Sequence, residues 1–174
     1  GFGSNSSLAK VSTTNLISNT GVCSTDVTGV GTARNYVASC EYSSDKDKAI
    51  FGFGTTGSVT GVTNLVSSSG VVASDVSAVG TARSGPGACD YGGDKAIFAF
   101  GNHGSQTGVS NLVSNVGVVA SDVSAVGTAR DMIGACEYGS GNGIFGFGES
   151  GSGKVGITNL VTTAGVVGSD VAAV

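Results

Sequence analysis

Apolar positions along this chain fall in short runs broken by Gly, Ser, Thr and Asp. One cycle shows the pattern: residues 85–91 (GPGACDY), 95–101 (KAIFAFG), 109–114 (VSNLVS) and 117–126 (GVVASDVSAV). Runs of this length, rich in Val, Ile, Phe and Tyr and bounded by turn formers, predict β-strands. No segment carries an i, i+3, i+4, i+7 stripe, and each glycine costs a helix about 1 kcal/mol. The expected fold is all-β.

The cycle recurs. Asn15, Asn64, Asn111 and Asn159 are spaced by 49, 47 and 48 residues, and Arg34, Arg83 and Arg130 and Asp26, Asp75, Asp122 and Asp170 recur in step. A period near 48 predicts stacked repeats or a propeller. From Arg to Cys the interval is six residues wherever both occur, and from Asn to Arg it is 19. The variation is confined to two places. Tyr42 to Ile50 spans eight residues where Tyr91 to Ile97 and Tyr138 to Ile144 span six, and Phe to Asn spans 13, 11, 11 and 12. A one-residue slip inside a paired strand reverses its faces, whereas a hairpin tip absorbs insertions, so these two segments are expected to be loops.

The order Thr81-Ala82-Arg83, small residues, Tyr91-Gly92, then Ile97-Phe98-Ala99-Phe100-Gly101 and an Asn-bearing strand resembles a kelch-like β-propeller blade. That family usually carries a double glycine and a Trp; this chain has no Trp, and a single Gly follows Phe53, Phe100 and Phe147. Similar Gly/Ser/Val-rich arrays also resemble repeats of phage tail-fibre and microbial surface proteins. The resemblance implies four-stranded antiparallel blades: a half blade at 1–34 and blades at 35–83, 84–130 and 131–174. Propellers close with four to eight blades. An open fragment of a larger ring is therefore expected, completed by the rest of a longer chain or by further copies of itself. The chain opens within one unit and stops where the others run on into Gly-Thr-Ala-Arg, in keeping with that expectation. A β-solenoid is the alternative architecture.

Composition narrows the partners. The chain has 174 residues, 11% charged and 40% hydrophobic, with 31 glycines, one proline and a net charge of −4. These values argue against a disordered polyelectrolyte. The lack of a basic stripe argues against a nucleic-acid partner, and no run of 18 apolar residues predicts a membrane helix. Cys40, Cys89 and Cys136 follow the repeat, while Cys23 stands where other units have Val72, Val119 and Val167. Without CxxC or His-paired spacing they are expected to be small buried hydrophobes.

Several motifs fail on context. The stretch 148–155 approaches a phosphate-binding loop, but Val155 replaces the metal-holding hydroxyl and a strand follows in place of a helix. The GxGxxG matches at 52–57 and 146–151 lack the same helix. Asp45-Lys46-Asp47 does not continue into calcium-ligand spacing and reads as an insertion at a hairpin tip. His103, the only histidine, has no metal ligand or nucleophile at a useful spacing. No cofactor or metal is expected. Asn5-Ser6-Ser7 fits the N-glycosylation acceptor pattern.

Residues repeated in every unit serve the unit. Each Arg is expected to tie adjacent units through hydrogen bonds to carbonyls or carboxylates, and each Asp to cap a turn, with the Asn positions of the same standing. Glu41, Asp90 and Glu137, equivalent residues beside the Cys, read as structural too. Ligand contacts are expected where the units differ: Asn35, Tyr36, Asp131 and Met132 after the Arg, and Thr55, Thr56, Asn102, His103, Gln106, Glu149 and Lys154 in the Phe-to-Asn loops. In a four-stranded up-and-down blade both sets emerge on one face. The function expected is a non-catalytic structural or recognition module of an extracellular fibre, filament or virion surface, binding glycan or protein. A propeller enzyme acting on polysaccharide and an intracellular kelch-like adaptor are the alternatives.

Overall fold

The computed structural model describes residues 1–172; the expected end of the last unit at Val174 lies outside the described residues. No helix occurs among the described residues, and the strands form several small antiparallel sheets, none of them closed. β1 (Gly3–Ser4) pairs with β2 (Lys10–Val11). β3 (Ala38–Tyr42), β4 (Lys48–Gly52) and β5 (Thr63–Val66) form a meander, as do β6 (Gly87–Tyr91), β7 (Lys95–Ala99) and β8 (Ser110–Val113). The third meander is β9 (Gly134–Tyr138), β10 (Asn142–Gly146) and β13 (Thr158–Val161). The small ladder of β11 (Glu149–Ser150) and β12 (Gly153–Lys154) lies between its last two strands. Register is the same in each meander: Ile50 faces Cys40 and Leu65, Ile97 faces Cys89 and Leu112, and Ile144 faces Cys136 and Leu160.

Each meander holds three strands where the sequence pattern led us to expect four. The fourth run is attached by pairs of isolated bridges, Thr63 to Val76 and Val66 to Val72, then Ser110 to Val123 and Val113 to Val119. Three steps along β5 thus face four steps along the run beside it, which is the geometry of a β-bulge. The Asn side chain fills the gap: Asn64 Nδ2 donates to the Ala73 carbonyl at 3.0 Å and to Asp75 Oδ1 at 2.9 Å. Asn111 and Asn159 do the same with Ala120 and Asp122 and with Gly168 and Asp170. A side chain here stands in for missing ladder bonds, as burial of unpaired backbone groups requires.

Consecutive meanders pack face to face, β3 against β6 and β7, and β6 against β9 and β10. One core joins Tyr42, Ile50 and Phe53 to Ala96, Phe98 and Val113; the next joins Tyr91, Ile97 and Phe100 to Phe145 and Val161. Phe53 meets Phe98 edge to face at 5.1 Å, and Phe100 meets Phe145 at 5.6 Å. Each such ring contributes about 1.5–3 kcal/mol through burial. The contact is tight: a Cβ on Gly52 would lie 2.7 Å from the Phe98 ring, so only glycine fits there.

Arginine bolts the units together. Arg34, Arg83 and Arg130 are fully buried. The Arg83 guanidinium stacks 4.0 Å over the Phe53 ring of the preceding unit, while its Nε donates to the Phe100 carbonyl at 2.7 Å. Arg34 bridges Phe2 and the Phe53 carbonyl in the same way, and Arg130 bridges Phe100 and the Phe147 carbonyl. Phe53 and Phe100 hold left-handed backbones (φ 61° and 63°), which presents those carbonyls to the arginine. Burial pushes the Arg83 guanidinium down to about 10, with Asp122 opposing the shift, so it stays charged at neutral pH.

The repeated aspartates act between units rather than within a turn. Asp75 accepts from Thr32 N and Thr32 Oγ1, and Asp122 and Asp170 accept likewise from Thr81 and Thr128. Among the described residues Asp26 accepts only from Asn15. The cysteines divide. Cys89 is buried and Cys40 half-buried, but Cys23 and Cys136 are exposed, contrary to the expectation for all four. Cys136 lies on a face of the third meander that no other sheet covers among the described residues, and Cys23 bridges to the exposed Ile17. All four are free thiols.

Candidate functional site

Two clusters form at opposite ends of the neighbouring strands β3, β6 and β9. At the end where each strand begins, the segments after the arginines join in a row. Gly85 N donates to the Tyr36 carbonyl at 2.9 Å, and Met132 N donates to the Gly85 carbonyl at 3.0 Å. All three residues are left-handed, with φ of 52°, 60° and 51°. Gly adopts this conformation freely, but for Tyr and Met it costs on the order of 1–2 kcal/mol. Tyr36 and Met132 are nevertheless 55% and 59% exposed. Strain is held here without a compensating gain in side-chain burial.

The Phe-to-Asn loops flank this row. Asn35 bridges to Thr55, Ser84 to Asn102, Asn102 to Gln106, and Asp131 to Glu149. Glu149 pairs with Lys154 across the β11–β12 hairpin. Asn35, Thr55, Asn102, Gln106, Asp131, Glu149 and Lys154 are thereby gathered beside Tyr36 and Met132. A cavity of about 380 Å³ lies between Met132, Phe147, Glu149 and Lys154. Thr56 and His103 stand at exposed loop tips, their amides donating to Ser58 and Ser105 within the same turn. Asn35 Oδ1 is buried without a hydrogen-bond partner, while its Nδ2 donates to Ser4 Oγ. Asn5 lies apart in an exposed turn, where its side-chain oxygen accepts from the amides of Ser7 and Ala9.

Sequence reasoning missed the second cluster. At the other end of the strands, Lys46 Nζ lies 2.7 Å from Glu137, 3.0 Å from Asp90 and 3.8 Å from Glu41. The hydrogen bonds that it donates to Glu137 and Asp90 hold the Lys46 amine well above its usual range. Lys46 in turn lowers the Glu137 carboxyl, against the opposing effect of burial. The hairpin tips carrying these groups are also joined, Ser43 N to the Asp94 carbonyl and Gly92 N to the Gly141 carbonyl. One signal pointed here: the Tyr42-to-Ile50 hairpin is two residues longer than its counterparts, and the extra length carries the lysine.

Among the described residues no group of three or more His, Cys, Asp or Glu side chains is arranged to hold a metal ion. No helix among them is long and apolar enough to cross a membrane. No known family model matches the chain, and no curated protein matches it either.

Proposed function

We propose that this chain is a non-catalytic structural and recognition module of propeller type, built from four-stranded blades and displayed on an extracellular fibre, filament or virion surface. Its ligand face is the Tyr36–Gly85–Met132 row with its flanking loops, and the ligand is a glycan or a protein. The observation that carries this reading is the exposure of two large side chains on strained, hydrogen-bonded backbone. Left-handed backbone at residues other than glycine clusters at binding and switch sites, and here two such residues stand in one hydrogen-bonded row. Tyr and Met are also enriched at protein contacts relative to the rest of a protein surface.

Lys46 touches Glu41, Asp90 and Glu137 together. The same contact gives the carboxylates a structural use and weakens the reading of a polysaccharide-cleaving enzyme.

A glycan array probed with the native chain and with Tyr36→Ala/Met132→Ala tests the proposal. Hits that vanish in the variant, with its melting temperature unchanged, support it. An array without hits removes the glycan arm, and hits indifferent to the substitutions remove the face.

A further inference from the structure

The units at 35–83 and 84–130 do not fill the space between them. A groove of about 400 Å³ remains there, lined by Tyr42, Lys48, Leu65, Val66 and Val71 from one unit and by Val116 from the next. A Cβ on Gly117 would lie 2.7 Å from Leu65 and 3.0 Å from the Tyr42 hydroxyl, so the turn that carries Val116 sits directly on both side chains. Val71 and Val116 are nevertheless 64% and 68% exposed.

Two polar groups of the groove stand together and are unused. Tyr42 and Lys48 are directly opposite in the β3–β4 ladder, and residues so placed project from the same face of a sheet. Tyr42 is 4% exposed, yet its hydroxyl has no hydrogen-bond partner among the described residues. A buried tyrosine ordinarily bonds through that hydroxyl. The lysine ion pairs among the described residues are those of Lys46 and Lys95, so Lys48 has none. Here the repeat is broken. In the next unit Asp94 accepts from the equivalent Lys95. In this unit Asp47, the equivalent aspartate, is taken by Ser43, whose hydroxyl donates to it at 2.8 Å. The longer hairpin thus leaves the Lys48 amine exposed and free beside the groove.

We propose that this groove binds a single-headed amphiphile, the carboxylate of a medium-chain fatty acid. The Tyr42 hydroxyl donates to one carboxylate oxygen and the Lys48 amine to the other, both as charge-assisted bonds, while the alkyl chain lies along Leu65, Val66, Val71 and Val116. A volume of about 400 Å³ is within the usual span for small-molecule sites, about 300–1,000 Å³. Ser67, a further hydroxyl in the lining, is already bonded to Ser69 and to the Val71 amide. The side chains along the rest of the groove are aliphatic and would leave the amides of a peptide unpaired, at a cost, so an alkyl chain is the better fit. The groove lies at the opposite end of β3 from Tyr36 and uses none of the residues of the ligand face, so the two stand or fall separately.

The test is titration of the full chain with decanoate below its micelle concentration, followed by calorimetry and by amide correlation spectra. The expected result is saturable one-to-one binding, with shifts concentrated at Lys48, Val66, Val71 and Val116. Octanoate, two methylenes shorter, should bind about tenfold more weakly. Lys48→Met and Tyr42→Phe should each weaken decanoate by about fivefold and leave the melting temperature nearly unchanged, because neither group has a partner in the native chain; Lys48→Arg should retain binding. Ala73→Trp, at another exposed position of the lining, should block the groove. Absence of saturable decanoate binding overturns the proposal. Equal binding of decylammonium, which has the same chain and the opposite charge, or indifference to both Lys48→Met and Tyr42→Phe, overturns it as well. A peptide with a free apolar C-terminus that binds this groove more tightly than decanoate would overturn the choice of ligand.

Discussion

The amine of Lys46 lies 2.7 Å from the carboxylate of Glu137, 91 residues further along the chain. That contact spans three sheets, and Asp90, from the sheet between, shares it at 3.0 Å. Lys46→Met should lower the melting temperature at pH 7 more than Glu41→Gln does, because it leaves the Asp90 and Glu137 carboxylates facing each other without a counter-charge. Adding Glu137→Gln to Lys46→Met should recover part of the loss. Thermal denaturation of the set checks this, and equal effects for Lys46→Met and Glu41→Gln would contradict it.

Acid should act through the inter-unit carboxylates. Burial alone would raise Asp75, Asp122 and Asp170, but hydrogen bonds from Thr32, Thr81 and Thr128 and from Asn64, Asn111 and Asn159 outweigh it, so all three lie below 3.8. Glu137, lowered chiefly by Lys46, lies below 4.5. A carboxyl depressed in the folded state stabilises fully above its unfolded value and loses that contribution as pH falls through its folded value. The melting temperature should be level between neutrality and about pH 5 and drop below about pH 4. Lys46, raised above 10.5, contributes with the opposite sense, and its share fades as pH rises beyond that value.

Arg83→Lys should destabilise by about 1–3 kcal/mol, because an ammonium cannot stack flat on Phe53 while bonding the carbonyls of Thr81, Phe98 and Phe100. Phe53→Leu, which keeps an apolar side chain but removes the face beneath the guanidinium, should cost less. Urea unfolding gives both values, and a cost for Arg83→Lys within error of zero would show that the arginine only fills space.

The thiols should separate by place. Cys23 and Cys136 are exposed, Cys89 is buried and pushed up to about 12 by burial first and by Asp90 next, and Cys40 is raised by burial in the same way. A thiol held protonated is a poor nucleophile. Two of the four should react with an aromatic disulfide reagent in the native chain at neutral pH, and all four in denaturant. Four fast reactions in native buffer would contradict the packing of the first two meanders.

What was legible in the sequence was whatever repeats locally. The strand at 95–99, the Asn-Leu strands and the loops at the Phe-to-Asn intervals follow from period-two patterning and from where length varies. The inter-unit use of the arginines was legible because a charged residue copied without change inside an apolar period needs a partner. Three things were not. The bulge opposite Asn64 depends on one extra residue in a run whose register composition cannot fix. The division of the cysteines depends on which meander has a covering sheet. The Lys46 cluster depends on three strands meeting in space, and nothing between residues 46 and 137 encodes that meeting locally. In the candidate ligand face, the variable loops could be read from the sequence, but the left-handed backbone at Tyr36 and Met132 could not, since neither residue type favours it.

The claim on which the rest stands is that every unit is bolted to the next by an arginine lying on one phenylalanine and bonded to the carbonyl of another. The chain has only three arginines, Arg34, Arg83 and Arg130, so a nitrogen–proton correlation spectrum of their side chains tests it without ambiguity. Three separate Nε–H signals should appear, shifted upfield by the rings beneath them and slow to exchange with solvent, as full burial and 2.7–2.9 Å bonds to carbonyls require. A single averaged signal at the position of a solvated arginine, lost rapidly in heavy water, would contradict the account.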